Sequence, residues 1–203
     1  MAGGHQPAYV EEVLSGDTVR LRGGKTLRYI GLEAPPLQHL IPLVRVYGAN
    51  SKAFNENLVL HKKIYIDWGR RIRDSRNNLL GYVYLENGTF VNLEILKAGQ
   101  AKARISAPDL DFADLFRKTA LDAERARAGV WKEEPKNPYL QHAYIGDKNT
   151  KVYYLPNSPE LDRLPQSYLI TFNSRVEATA AGYRACDHCK ETVSYGDTDT
   201  TLY

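Results

Sequence analysis

The sequence predicts a small five-stranded Greek-key β-barrel with inserted helices, followed by a smaller α+β module. Three features predict it. Short segments rich in Val, Ile, Leu and Tyr alternate with polar residues between residues 9 and 92, with Gly- and Asn-bearing turns between them. A stretch of helical period interrupts this series after its third member. The pattern then turns helical as far as Ala128-Gly129, and a polar stretch containing Pro and Gly separates this part from the rest.

Residues 9–14 read as the first strand, feeding a turn at Ser15-Gly16. Residues 18–22 alternate, with Val19 and Leu21 on one face and Thr18, Arg20 and Arg22 on the other. Gly23-Gly24 is a tight hairpin pair, and residues 26–32 return as a strand that Pro35-Pro36 ends. Residues 37–46 read as an apolar, Pro-interrupted loop packed on the core. Residues 48–60 have helical spacing, with Ala49, Ala53, Phe54 and Leu58 inward and Lys52, Asn55, Glu56 and Asn57 outward. Residues 62–68 alternate as a strand, residues 69–78 are an arginine-rich polar loop, and residues 79–85 form the next strand. Glu86-Asn87-Gly88 is a hairpin turn whose partner opens at Thr89. A short helix spans 93–99, the longest helix spans 108–127, and Val130-Trp131 docks back on the core. This outline fits an OB barrel.

The 203 residues are 43% hydrophobic and 25% charged, enough for one full core and a smaller second unit. The expected division is a barrel domain at 1–135, a linker at 136–147, a small module at 148–190 and a polar tail at 191–203. Residues 1–135 hold 20 Lys and Arg against 16 Asp and Glu, while the remainder holds 7 against 8. The first part is therefore the one suited to a polyanion. No apolar run approaches membrane-span length, so no membrane role is expected. No signal peptide stands in the chain as given. The compartment stays open between secreted or periplasmic, with a leader removed, and cytoplasmic. Two cysteines only three apart do not make a disulfide framework.

Asp17 and Glu33 sit at opposite ends of the central hairpin unit, which can bring them together, with Arg28 on the strand between. Two carboxylates and a guanidinium are the parts needed to hold a divalent cation and a phosphate. The order Gly16-Asp17-Thr18-Val19, Thr26-Leu27-Arg28, Glu33-Ala34-Pro35 resembles the opening of the thermonuclease (staphylococcal nuclease-like) family. The likeness continues through Tyr47-Gly48 with Ala53-Phe54, Leu79-Leu80-Gly81-Tyr82-Val83-Tyr84, Asn92 with Leu96, Gly99-Gln100-Ala101 and Gly129-Val130-Trp131.

The resemblance implies a five-stranded OB barrel that binds nucleic acid and holds Ca²⁺ on Asp17 and Glu33, with Arg28 as a catalytic phosphate grip. Glu33 falls where the family usually has Asp, and Ala34 where a Thr offers its carbonyl. Pro36 falls where the family has the Glu that activates water. Asn78 replaces the second phosphate arginine, and Arg76 replaces a pocket tyrosine. Arg70, Arg71, Arg73 and Arg76 could form a basic rim that touches phosphate, or a solvated turn. Tyr29, Tyr65, Tyr82 and Tyr84 could stack on bases, or serve as core and sheet residues. The expected function is a nucleic-acid phosphodiester-binding protein with a depleted catalytic site and weak or absent nuclease activity. The alternatives are a Ca²⁺-dependent endonuclease with a rearranged site, or a protein-interaction module with no nucleic-acid role.

After the barrel, Phe172-Asn173-Ser174 and a short helix leading to Ala181-Gly182-Tyr183 resemble the Ada-type metal-binding module. Its zinc form needs about four soft ligands. Here Cys186-x-x-Cys189 remains with His188 between, while Tyr154 stands where a His is frequent and Ser158 where a Cys is expected. Zinc is therefore not expected, and a fold held by its apolar core or by a reducible Cys186–Cys189 disulfide is.

Overall fold

The computed structural model describes residues 5–134, 136–187 and 189. The polar tail at 191–203 and His188 lie outside the described residues. The chain forms two compact units. One runs to Leu37 and resumes at Leu43; the other combines Gln38–Pro42 with the chain from Lys136 onward.

In the first unit, the strands are β1 (Gln6–Ser15), β2 (Thr18–Leu21), β3 (Thr26–Tyr29), β4 (Gly31–Glu33), β5 (Lys63–Arg73), β6 (Leu79–Leu85) and β7 (Lys102–Arg104). Five of them close a barrel in the order β1-β2-β3-β6-β5. β3 and β6 run parallel, and the other barrel pairs are antiparallel. This is the OB arrangement that the sequence predicts. The apolar face of each strand fills the barrel, led by Val10, Val13, Val19, Leu27, Ile64, Ile66 and Val83.

The strand expected over 26–32 is broken. Gly31 takes φ +83°, and a β-carbon there would run into the Phe116 ring. The chain leaves the barrel at this point and continues as β4, which pairs with β7. β7 is a strand that the alternation alone did not signal.

Helix α1 (Pro42–Val59) begins at Pro42 rather than Gly48, because a proline in the first turn gives up no hydrogen bond. Its buried residues are Tyr47, Gly48, Ser51, Asn55 and Val59, so Ala49 and Ala53 face outward, contrary to expectation. The polar face and the inner face coincide here because Ser51 and Asn55 find partners inside. β5 runs on to Arg73, taking half of the expected loop, with its pairing to β6 irregular between Trp68 and Arg73.

Helix α2 (Val91–Lys97) follows an isolated bridge between Tyr84 and Phe90, which is all that forms of the expected hairpin partner. Helix α3 (Ala113–Arg125) is shorter than the expected 108–127. It buries Phe116, Ala120 and Ala123, while Leu115 and Leu121 are exposed. No helix among the described residues is long and apolar enough to cross a membrane.

The second unit is a four-stranded sheet of β8 (Tyr144–Asp147), β9 (Val152–Tyr154), β10 (Leu169–Phe172) and β11 (Arg184–Ala185), ordered β10-β8-β9-β11. β8 is an inner strand, although residues 136–147 read as linker from sequence. Its only apolar pair, Tyr144-Ile145, is too short to register as a strand period. Helix α4 (Arg175–Ala180) is capped by Ser174, whose Oγ accepts from the Glu177 N–H, while Glu177 accepts from the Asn173 N–H.

Two apolar clusters stabilise the sheet: Val152, Tyr153, Phe172, Ala178 and Tyr183 with the two cysteines, and Leu40, Ile145, Leu161 and Leu169. Leu40 comes from the short segment between β4 and α1. Its N–H donates to Asp162 Oδ1 at 3.1 Å, and its carbonyl accepts from Gln166 Nε2 at 3.1 Å.

Truncating Leu40→Ala is expected to destabilise this second unit by about 2–5 kcal/mol, the usual range for a buried Leu. Hydrogen exchange of β8 and β10 amides checks it: they should open faster, and unchanged protection would show that Leu40 is not part of this core.

Candidate nucleic-acid and cation site

The site is built on the β1–β2 turn, β3 and β4. α1 sets the turn. Asn55 is fully buried; its amide donates to the Ser15 carbonyl at 3.0 Å and accepts from the Tyr29 hydroxyl at 3.1 Å. Burial drives the Tyr29 phenol far above its ordinary pKa, the Asn55 bond works against that, and the Asp17 charge adds to it. Tyr29 therefore stays neutral as a donor. Gly16 lies so close to Ser51 Oγ that a β-carbon would collide with it, which seats the turn flat on α1.

This turn presents Asp17, only 6% exposed. Asp17 Oδ1 accepts from the Ser15 hydroxyl at 2.6 Å and the Thr18 hydroxyl at 2.9 Å. Asp17 Oδ2 accepts from the Ala34 N–H at 3.3 Å and lies 3.4 Å from Arg28 Nε. Arg28 also reaches Glu33 Oε1 at 3.7 Å, and Arg104 on β7 holds Glu33 Oε2 at 2.7 Å. The structure thus brings Asp17, Arg28 and Glu33 together as the sequence predicts, and adds Arg104. Arg104 lies outside the arginine-rich loop that the sequence offers as the phosphate contact. Its sequence signal is the exposed pair Lys102 and Arg104 on either side of the half-buried Ala103.

The expected arginine rim is mostly committed to its own chain. The Arg70 guanidinium pairs with Asp111 at 2.9 Å, Arg71 donates to the Ala107 carbonyl at 2.7 Å, and Arg73 to the Asn77 carbonyl at 2.7 Å. The backbone N–H groups of Arg70 and Arg71 both donate to buried Asp109 Oδ1, which sets the path of this part of β5. The Arg76 side chain has no hydrogen-bond or ion-pair partner among the described residues.

Asn78 donates to Asp74 from both its backbone and its side chain, at 2.9 and 3.0 Å. It shapes the turn. Partial burial works to raise the Asp74 carboxyl, but donors from Asn78 and Arg76 and the charge of Arg28 hold it below the usual carboxylate range. Tyr29 and Tyr82 belong to the core and are not surface stackers; Tyr65 and Tyr84 are half-buried, and Tyr84 stacks on Phe90 at 4.6 Å.

Asp17 and Glu33 offer two carboxylates, part of the oxygen ligand set that a calcium ion takes, the remainder being carbonyl oxygens and water. Among the described residues no third His, Cys, Asp or Glu joins them as a metal cluster. Bound there, calcium would supply a charge to attract a phosphate oxygen, and Asp17 and Glu33 would hold it. In the second unit Cys186 and Cys189 are joined as a disulfide, so neither offers a thiolate. That pairing removes two of the soft ligands a tetrahedral zinc site takes.

Fold and site define an OB-type barrel bearing an acid–arginine cluster beside its β1–β2 turn. Residues 26–133 match the family model described as "Staphylococcal nuclease homologue", and the chain belongs to that family. Asp17 precedes the matched stretch, whereas Arg28, Glu33, Pro36, Asn78 and Arg104 fall inside it. Residues 134–192 match the model described as "Metal binding domain of Ada".

Among curated relatives, "Endonuclease YhcR" of Bacillus subtilis (strain 168) is 28% identical over 207 residues, covering 90% of this chain and 17% of that protein. "SPbeta prophage-derived endonuclease YokF" of the same organism is 27% identical over 152 residues, covering 70% and 50%. "Thermonuclease" of Staphylococcus intermedius is 24% identical over 126 residues, covering 61% and 74%. The chain therefore spans half or less of the two Bacillus relatives.

Replacing Asn55 by Leu strands the Tyr29 hydroxyl and the Ser15 carbonyl, and is expected to cost about 1–3 kcal/mol for each buried group left unpaired. Urea unfolding measures it, and a change under 0.5 kcal/mol, the scale of an ordinary surface substitution, would show that Asn55 does not hold the turn. A zinc chelator is expected to leave the thermal midpoint of the second unit unchanged, whereas a thiol reductant should lower its stability by about 2 kcal/mol, as opening a small disulfide loop does. A midpoint that falls on chelation and recovers with zinc would contradict this.

Proposed function

We propose that this chain binds nucleic acid through its phosphates at the Asp17–Arg28–Glu33 cluster, aided by calcium, and cleaves it weakly or not at all. One observation carries the reading: the loop position after Glu33-Ala34-Pro35 is Pro36, which has no group to take a proton from water. In this reading Arg28 grips the phosphate, and Asp17 and Glu33 hold the cation. Among the described residues Arg76 is the loop arginine whose guanidinium is uncommitted, and Arg71 and Arg73, whose partners are neutral carbonyls, add positive potential to the rim beside the paired Arg70. The module from 148 to 190 is proposed as a metal-free appendage of the barrel domain at 1–135.

A second reading is a Ca²⁺-dependent endonuclease with a rearranged site. It is supported by the word endonuclease in the relatives' names and by Arg104, which brings a second guanidinium to Glu33 from outside the expected loop.

Turnover of single-stranded DNA with Ca²⁺ separates the two. The native chain is expected to be slow, and Pro36→Glu to raise its rate by roughly 10²–10⁴-fold, the usual worth of a general base. Cleavage by the native chain at ordinary enzyme rates, abolished by Arg28→Ala, would favour the second reading. Salt-independent behaviour with no retention on a DNA column would sink both.

A further inference from the structure

Glu33 lies directly opposite Lys102 in the β4–β7 pair, yet its ion pair is with the diagonal residue Arg104. Diagonal neighbours two residues apart lie within reach of long side chains. Lys102 instead places its ammonium over the Trp131 ring, 5.2 Å from the centroid. Each oxygen of Glu33 thus faces a different guanidinium: Oε1 faces Arg28 and Oε2 faces Arg104.

The two arginines are not equivalent. Arg28 also pairs with Asp17 and is 30% exposed, so it is anchored between both carboxylates. The Arg104 side chain is 68% exposed, and Glu33 is its one hydrogen-bonding partner among the described residues. Two carboxylates and two guanidinium groups leave the cluster formally neutral. Such a cluster attracts neither a cation nor a phosphate strongly. Adding a divalent cation on the carboxylates makes it +2, which favours a phosphodiester.

We infer that Arg104 is a cation-released phosphate grip: it holds Glu33 while the carboxylates are free, and turns to the phosphate when a divalent cation takes Glu33. The inference rests on the binding site proposed above and assigns it a residue outside the arginine-rich loop. An exposed pair of this kind is worth little, so breaking it adds little to the cost of binding the cation. The freed guanidinium stays beside Arg28 and can bond a phosphate oxygen with two parallel N–H groups. Arg104 acts here as a binding residue; no proton or electron transfer is assigned to it.

The test measures two affinities that must move in opposite directions. CaCl₂ binding is followed by calorimetry, and thymidine 5′-monophosphate binding is followed with Ca²⁺ present. The monoester has no diester bond to cleave, so its binding reads without turnover. Arg104→Ala is expected to bind Ca²⁺ about two- to fivefold more tightly, because an exposed competing pair is gone. The same variant should bind the nucleotide about 10- to 100-fold more weakly, the usual loss of a charged hydrogen bond. Arg104→Lys should recover part of the nucleotide affinity. Tighter calcium with unchanged nucleotide binding would make Arg104 a lock only and overturn the inference, as would no change in either. If the native chain itself bound neither Ca²⁺ nor the nucleotide, the binding-site reading would fail, and the role of Arg104 with it. Arg104 is exposed, and an unchanged thermal midpoint confirms that the variant folds.

Discussion

The buried amide of Asn55 is the constraint on which the rest of the site depends. It joins the carbonyl of Ser15 to the hydroxyl of Tyr29, and so fixes the β1–β2 turn against β3. Asp17 lies in that turn, two residues after Ser15, and Arg28 precedes Tyr29 by one. That clamp brings the two side chains to 3.4 Å of each other. A helix that buries Ser51 and Asn55 gives up the clean apolar stripe that helps it fold. What it gains is a rigid seat for a charged turn.

The same logic explains why Arg28 and Arg104 differ. Arg28 sits on a barrel strand, parallel-paired to β6, and bridges two carboxylates. Arg104 sits on a three-residue strand outside the barrel and holds one. A charge on a rigid element serves as a fixed grip, whereas a charge on a short exposed element can exchange partners. The arginine-rich loop reads as the phosphate contact from its composition, yet the fold spends Arg70, Arg71 and Arg73 on its own backbone and on Asp111. Composition counts charges; it does not show which are already held by a neighbour.

The second unit is held by ordinary packing and one covalent link. Its sheet is clamped by two apolar clusters, a capped helix and the Cys186–Cys189 bond. One cluster takes Leu40 from the chain between β4 and α1. The small module thus completes its core with a residue that lies far from it in sequence, as expected of a unit too small to bury enough surface by itself.

The barrel was legible in the sequence because period-two alternation and Gly turns are local signals, and β2 and β6 follow them closely. Asp17, Arg28 and Glu33 were legible as a cluster for the same reason: one hairpin unit carries all three. The break at Gly31, the buried polar face of α1 and the strand β8 were not, because each is set by what packs against it. Phe116 fills the space beside Gly31, Ser15 and Gln100 receive the donors of α1, and β9 and β10 flank β8. Arg104 belongs to this second group. The sequence alone placed it on no recognised element, and only the pairing of β4 with β7, residues far apart in the chain, brings it to Glu33.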